Sequence, residues 1–390
     1  MKINSSNTVS LGEVLEYEQP TKYIVDNTNY DDEFDIPVLT AGKSFLLGYT
    51  NETHNVFSNV PVIIFDDFTT AFKYVDFPFK VKSSAMKILK ANKEVADIRF
   101  LYYRMMKTGI DTELHKRYWI SKYSKVKIPL PPLDQQKKIA AILDAADEYR
   151  QKTKTLIEKY DELLNSIVYQ CLGDSLNKDL KNIKSGSKEF LEDGYSWYSL
   201  NEITELIADI DHKMPKSVEE GKIFLSAKDL SDNGELDFSN PKFISEEDFK
   251  HLSRKVKPKK LDIIYSRIGA KLGKARLVKT DHDFIVSYSC CTIRPKQDIV
   301  APLYLKYILD SEATLRQASH GTRGIGVPDL GMGEIRTFKI PVPEKSISKK
   351  IVNQLERIEA QKAQAQASLA QAEDLFNSLL QKAFKGELTD

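Results

Sequence analysis

The stretch Ile128-Pro-Leu-Pro-Pro-Leu-Asp-Gln-Gln-Lys-Lys-Ile139 returns, edited, as Ile340-Pro-Val-Pro-Glu-Lys-Ser-Ile-Ser-Lys-Lys-Ile351. From Ile128 to Ile340 the offset is 212 residues, and the same offset carries well past the quoted segment. Leu163, Asn165 and Ser166 fall on Leu375, Asn377 and Ser378; upstream, Gly109 falls on Gly321 and Lys127 on Lys339. A register held without a gap for roughly 60 residues is the mark of internal duplication, and it organises the whole chain.

Beyond the prolines each copy reads as a long helix. Asp134 and Ser346 are both good N-cap residues ahead of the periodic run. Ile139, Ile142, Ala146, Tyr149, Thr153, Leu156, Tyr160, Leu163 and Ile167 then alternate three and four apart, a seam of about four heptads. The second copy places Ile351, Gln354, Ile358, Gln361, Ala365, Ser368, Ala372, Leu375 and Leu379 at the same positions. Its small residues complement Tyr149 and Tyr160 better than they complement each other, so the two helices are expected to pair with one another. At about 1.5 Å per residue, some 38 residues make a rod of roughly 57 Å. Two helices in the core of an ordinary bundle is the plainer alternative. Leu143, Ile157, Leu164 and Val168 widen the apolar stripe of the first helix enough for a further partner to cover it.

The remaining segments carry short β-like runs with turn punctuation, among them Val60–Phe65, Leu261–Tyr265 and Cys291–Arg294. They echo each other too. Ser10-Leu-Gly-Glu-Val14 resembles Ser199-Leu-Asn-Glu-Ile203, and Val62–Phe65 resembles Asp262–Tyr265, but at drifting offsets. The expected fold class is α+β, with two mixed α/β domains separated by two long, antiparallel, coiled-coil-like helices in an internal pseudo-two-fold repeat. The expected segments are residues 1–132, a helix at 133–173, an exposed polar linker at 174–190, residues 191–343, and a second helix at 344–388.

Composition bounds the function. With 57 basic and 56 acidic residues and a net charge of +1, the chain is no polycationic coat protein. Its three cysteines, Cys171, Cys290 and Cys291, form no Cys-x-x-Cys, which argues against a disulfide framework or a zinc ribbon. The N-terminal residues lack the apolar core of a signal peptide, and no 18-residue apolar run occurs; the expected location is the cytoplasm, without membrane contact.

Charge is nevertheless segregated locally. Residues 250–279 hold eleven basic side chains and one acid, Asp262, together with Gly269 and Gly273, where backbone could approach a phosphate closely. A Gly-interrupted polar loop, His320-Gly-Thr-Arg-Gly324, lies downstream, and the corresponding first-copy loop leads into His115-Lys-Arg-Tyr-Trp119. A charge run is usually just a solvated face; the added glycines and loops favour nucleic acid. The candidate DNA-binding residues are Lys43, Lys73, His115, Lys116, Arg117, Tyr118, Lys228, Arg267, Lys271, Lys274, Arg276, His320, Thr322 and Arg323.

Catalytic patterns fail. Gly42-Lys43-Ser44 ends like a phosphate-binding loop, but the position that needs glycine is Pro37. Asp66-Asp67 lacks a third carboxylate or lysine at nuclease spacing, and Asp329 with Glu334 and Arg336 lacks the Glu-x-Lys ending. The six histidines show no metal-ligand spacing, so neither a catalytic residue nor a metal site is assigned.

Several of these pieces together carry a resemblance. The twice-written proline lead-in, Ser10–Val14, the block from Asp262 to Gly269 with Gly273-Lys274, and the Gly321–Leu330 loop together resemble the specificity subunits of type I restriction–modification enzymes, over nearly the whole chain. The second copy departs at Glu344, Lys345, Ile347 and Ser348, which stand where the first has Pro132, Leu133, Gln135 and Gln136. The resemblance implies that each globular segment is a target-recognition domain reading one half of an asymmetric bipartite DNA site, while the helix pair sets the spacer. It further implies docking of two adenine-N6 methyltransferase subunits and a restriction–translocase subunit. S-adenosylmethionine, ATP and magnesium would sit on those partners and none on this chain, which would be non-catalytic by itself. A methyltransferase-only or type IIB-like system, or a coiled-coil adaptor that does not bind DNA, are the alternatives.

Overall fold

The computed structural model describes residues 8–40, 44–108, 118–173, 178, 180, 182–323 and 326–388. It divides into two units, residues 1–154 with 366–390, and residues 155–365.

The first unit runs β1 (Thr8–Ser10), α1 (Leu11–Val14), β2 (Leu15–Glu18), β3 (Ile36–Leu39), β4 (Leu46–Thr50), β5 (Val62–Asp66), β6 (Phe72–Val75), β7 (Lys80–Val81), β8 (Met86–Ala91), α2 (Ile98–Met106), α3 (Tyr118–Ser121), β9 (Lys127–Pro129) and the start of α4 (Leu133–Leu172). Its strands make a four-stranded sheet ordered β2-β8-β5-β6, a three-stranded sheet β4-β3-β7, and the ribbon β1-β9. β5 is buried on both faces. Ile63 and Phe65 meet α2 and the long helices, while Val62 and Ile64 face the apolar layer of Leu39, Phe57 and Val81. An unbroken apolar run is what a strand packed on two sides needs.

The second unit repeats that order with β10 (Tyr195–Ser199), β11 (Thr204–Ala208), β12 (Lys222–Leu225), β13 (Lys242–Ile244), α5 (Glu246–Leu252), β14 (Ile263–Ser266), β15 (Ala275–Leu277), β16 (Phe284–Val286), β17 (Cys290–Pro295), α6 (Pro302–Leu309), α7 (Glu312–Gly321), β18 (Thr322–Arg323), β19 (Asp329–Leu330), α8 (Met332–Thr337), β20 (Lys339–Pro343) and α9 (Lys345–Lys385). The sheets are β11-β17-β14-β15, β13-β12-β16, the ribbon β10-β20, and the short pair β18-β19. β14 mirrors β5, with Ile263 and Tyr265 on the helix side and Ile264 on the other. In both three-stranded sheets the middle strand has one antiparallel and one parallel neighbour. The topology is thus written twice, as the sequence repeat predicts.

The proline stretches are themselves strands. Ile128 pairs with Val9 and Ile340 with Tyr198, so each domain's last strand closes on its first before the long helix begins. The Ser-x-x-Glu echo makes the same turn in both copies: Glu13 accepts from the Ser10 backbone N–H and hydroxyl, and Glu202 from those of Ser199. The helix starts need correction. The first helical N–H bonds run from Gln136 to the Pro132 carbonyl and from Ser348 to the Glu344 carbonyl. Pro132 and Glu344 therefore occupy the caps, and Asp134 and Ser346 lie inside the first turn.

Gln136 explains why the lead-in is polar. Fully buried, it accepts from Asp97 N–H at 2.9 Å and donates to the carbonyls of Val95 (3.0 Å) and Pro131 (2.8 Å). It thereby latches the loop before α2 onto the root of α4. The second copy uses another latch. Glu344 N–H bonds the Gly194 carbonyl at 2.7 Å, and Ile347 lies so close that a Cβ on Gly194 would come within 2.3 Å of its Cδ1.

Within the first unit the opening of α4 packs against the end of α9; within the second, the end of α4 packs against the opening of α9. The pairing is antiparallel. One half of the expected seam holds: Ile139, Ile351, Ile358, Ala365 and Ala372 are buried, and Tyr160 is partly so. The other half is shifted by one residue. Ile142, Tyr149, Leu156, Leu163 and Leu375 are exposed, whereas Leu143, Leu164, Leu355 and Phe376 are buried. Leu143 and Leu164 therefore belong to the seam rather than to a face awaiting another partner. The expected exposed linker also contributes to the core, because Leu180 and Ile183 are buried against Trp197. Among the described residues, no helix is long and apolar enough to cross a membrane.

Candidate nucleic-acid interface

In the second unit three other segments converge on Arg267, the residue after β14. Its guanidinium donates to Asp209 at 3.0 Å, to Asp329 at 2.9 Å and to the Leu330 carbonyl at 3.2 Å, and lies 3.0 Å from His212 Nε2. Its backbone N–H reaches Ser289 and its carbonyl receives Leu330 N–H. Burial raises the Asp209 carboxyl, yet His212, Arg267 and Lys255 outweigh burial and hold it below its usual range. The exposed His212 ring stacks on Tyr288 at 4.8 Å. Exposed Lys213 and Lys216 follow His212 in sequence and have no acid within 4.0 Å among the described residues. The arrangement is a buried polar knot that fixes four loops and presents the exposed His212 imidazole, with two exposed lysines following in the same loop.

The basic run is largely spent within the fold. Lys250, Lys255, Lys257, Lys260, Arg267, Lys271, Arg276 and Lys279 each pair with an acid from another part of the sequence or the preceding turn. Arg276 is buried on Asp310 at 3.0 Å and on the Ser231 carbonyl at 2.6 Å. Of the run, Arg254, Lys259 and Lys274 keep no acidic partner among the described residues. Segregation along the chain is cancelled by Asp209, Asp281, Asp283 and Asp310 in space.

The first unit builds the same corner from the opposite charge. Asp67 follows β5 as Arg267 follows β14. Its carbonyl receives Tyr118 N–H at 3.0 Å, as that of Arg267 receives Leu330 N–H, and its carboxylate accepts Trp119 N–H at 2.8 Å. Lys87 lies 3.6 Å away. Asp66 is consumed by its own turn, accepting from Phe68 N–H and the Thr69 hydroxyl. Phe68 and Ile120 are exposed beside this corner. The Asp66-Asp67 pair is thus an anchor of loops.

The candidate residues sort accordingly. Tyr118, Arg267 and Arg276 are buried and are corrected from DNA-facing groups to supports, because their polar atoms or rings are enclosed by the fold. Lys271 bonds the Leu230 carbonyl at 2.7 Å; His320 donates to the Arg316 carbonyl and Thr322 to that of Ser319, closing the end of α7. Lys73 and Lys228 are exposed and Lys274 half-buried. Arg323 lies on β18, paired through its backbone with Asp329. Lys43, His115, Lys116 and Arg117 lie outside the described residues. Gly269 (φ +91°) has open space in front of it, whereas Gly273 (φ +88°) admits Leu315 of α7, not a phosphate. Sequence reading passed over Asp209, His212, Lys213, Lys216 and Tyr288. Their signal was the short polar interruption Asp209–Lys216 between two apolar strands. It also passed over the group Asp26, Glu52 and His54. There Glu52 is already engaged by Lys80 at 2.6 Å and by two backbone N–H groups, and despite burial these hold its carboxyl down at about 2.

Residues 4–163 and 209–373 match the family described as the type I restriction modification DNA specificity domain. A relative from Escherichia coli, the type I restriction enzyme EcoR124I/EcoR124II specificity subunit, is 33% identical over 360 residues, covering 90% of this chain and 85% of that one. The chain belongs to the type I restriction–modification specificity subunits. The Escherichia coli EcoBI specificity subunit is 25% identical over 280 residues, covering 67% of this chain and 58% of its own. Among solved structures, the S subunit of a type I restriction–modification system from M. genitalium matches with a TM-score of 0.62 at 17% identity, covering 98% of both chains. A chain from a study of complex assembly and conformational transition in the type I R-M system matches at 0.51, with the same identity and coverage. At such identity these two likenesses concern the fold, and the duplicated α+β plan with its paired long helices is that of the S subunits. As a specificity subunit the chain is a DNA-binding protein whose globular segments are target-recognition domains.

Proposed function

We propose that this specificity subunit reads an asymmetric, bipartite site on double-stranded DNA, one half with each recognition domain, while α4 and α9 fix the spacer between the halves. The observation that carries the reading is one frame written twice with unlike chemistry at the same corner: Arg267 and His212 with exposed Lys213 and Lys216 in one copy, Asp67 with exposed Phe68 and Ile120 in the other. A shared frame lets two domains meet one duplex in the same manner. Unlike side chains at the frame's working edge make the half-sites differ, because base edges are told apart by donor, acceptor and methyl patterns.

The helices also offer a docking face. Ile142, Tyr149, Leu156 and Leu163 recur at heptad spacing along α4 and remain exposed. Such a row suits two adenine-N6 methyltransferase subunits, with a restriction–translocase subunit joining the assembly. S-adenosylmethionine, ATP and magnesium belong to those partners; this chain supplies the address. The neutralised basic run leaves the duplex to groups outside it.

Lys213→Glu with Lys216→Glu tests the reading in the assembled methyltransferase complex. Each lysine that touches a phosphate contributes about one unit to the slope of log affinity against log salt. The double variant is expected to lower that slope by about two while assembly is unchanged. An unchanged slope in the double variant would remove these two lysines from the DNA-facing edge.

A further inference from the structure

Each recognition domain is tied to its long helix through one carboxylate, and the two ties are built alike. In the first unit Asp144 of α4 accepts from the Tyr103 hydroxyl at 2.6 Å and from Arg99 Nε at 2.6 Å, both donors on α2. In the second, Glu359 of α9 accepts from the Tyr307 hydroxyl of α6 at 2.8 Å and from Lys279, just past β15, at 2.9 Å. α2 and α6 occupy the same place in the repeated topology. Each tie is thus a tyrosine and a cation of the domain meeting one acid of the helix. Burial works against the charge on Lys279, yet Glu235 and Glu359 raise its pKa, so its ammonium is firmly held.

We propose that Asp144 and Glu359 are positioning residues that fix the direction each recognition domain takes from its helix, and so set how strictly the spacer length is read. The proposal rests on the bipartite reading above. The physical reason is directional. The aliphatic packing that joins each domain to its helix, such as Leu101 and Met105 in one cluster with Leu143 in the first unit, has no preferred angle and tolerates small rotations. A carboxylate held by two donors from different side chains does not, because a rotation lengthens one bond or the other and strands a polar group. Neither acid is among the side chains at the DNA-facing corner. Their loss should therefore loosen the spacing and leave the half-sites alone.

The test uses the full chain in complex with its methyltransferase subunits. The target is first read from methylated adenines, and duplexes are then made with the native spacer and with one base pair more or fewer. For Asp144→Asn with Glu359→Gln, the ratio of methylation on the native spacer to that on the altered ones is expected to fall about tenfold, the scale of one lost charged hydrogen bond. The half-site sequences should stay the same. If the unaltered complex discriminates spacers and the variant discriminates equally, or if a half-site changes instead, the inference is overturned. If the unaltered complex ignores spacer length, the bipartite reading itself fails. Should the double variant unfold, Tyr103→Phe with Tyr307→Phe removes one bond from each tie with less disturbance and is read against the same two outcomes.

Discussion

Arg267→Ala is expected to destabilise the second unit by about 3–5 kcal/mol, the usual result of removing one partner from a buried ion pair. The loss falls on Asp209, which is buried and among the described residues keeps Lys255 and His212 as partners, and on the Leu330 carbonyl and Asp329. Four loops lose their common anchor, so target methylation should collapse with the thermal midpoint of the full chain. Arg267→Lys retains the charge without the fork and cannot hold Asp209 and Asp329 together, so it should rescue only part. The pH dependence has a definite sign. Because the folded Asp209 carboxyl lies below its ordinary value, its contribution is complete above that ordinary value, about 3.9. It drains away as the pH falls through the lowered folded value. Without Arg267 the folded value rises, so the variant should lose stability at a higher pH than the native chain. Thermal denaturation at a series of pH values checks both statements.

The second large effect separates two neighbouring residues of α9. Phe376 is 3% exposed, its ring 4.3 Å from the Arg150 guanidinium and 6.0 Å from the ring of Tyr103; Leu375 is 53% exposed. Phe376→Ala should cost about 3–5 kcal/mol, the cavity of a deleted core ring. Leu375→Ala should stay within about 0.5 kcal/mol. Urea titration of the two variants decides the register of the helix pair. Equal effects would restore the seam that heptad spacing from Ile139 and Ile351 suggests.

That seam shows how far the sequence reaches. The repeat, the long helices and the strands at Val62 and Ile263 were legible because period and burial agree there. The register was not, because α4 is apolar on two adjacent rows, Ile142-Tyr149-Leu156-Leu163 and Leu143-Ile157-Leu164, and either fits a three-four alternation. Only the partner chooses: Phe376 and Leu355 complete the second row, and Arg150 enters the seam over an aromatic face. Residues 250–279 mislead for a related reason. Some of their acids lie far away in sequence, Asp209 before and Asp310 after, and others, Glu246, Asp281 and Asp283, just outside the counted window, so the local surplus says nothing about charge in space. Arg267 was found for the wrong reason, as a free cation, when its importance is as a buried one. Asp67 was legible as a carboxylate but not as the counterpart of Arg267, since the offset between copies drifts through the globular segments.

The central claim is that each recognition domain reads its own half-site. Exchanging residues 191–343 for the matching segment of another specificity subunit, followed by sequencing of methylated adenines in cells that supply the methyltransferase subunits, tests it most directly. One half of the methylated motif should change while the other half and the spacer persist. A motif in which both halves change together, or neither does, would contradict the account.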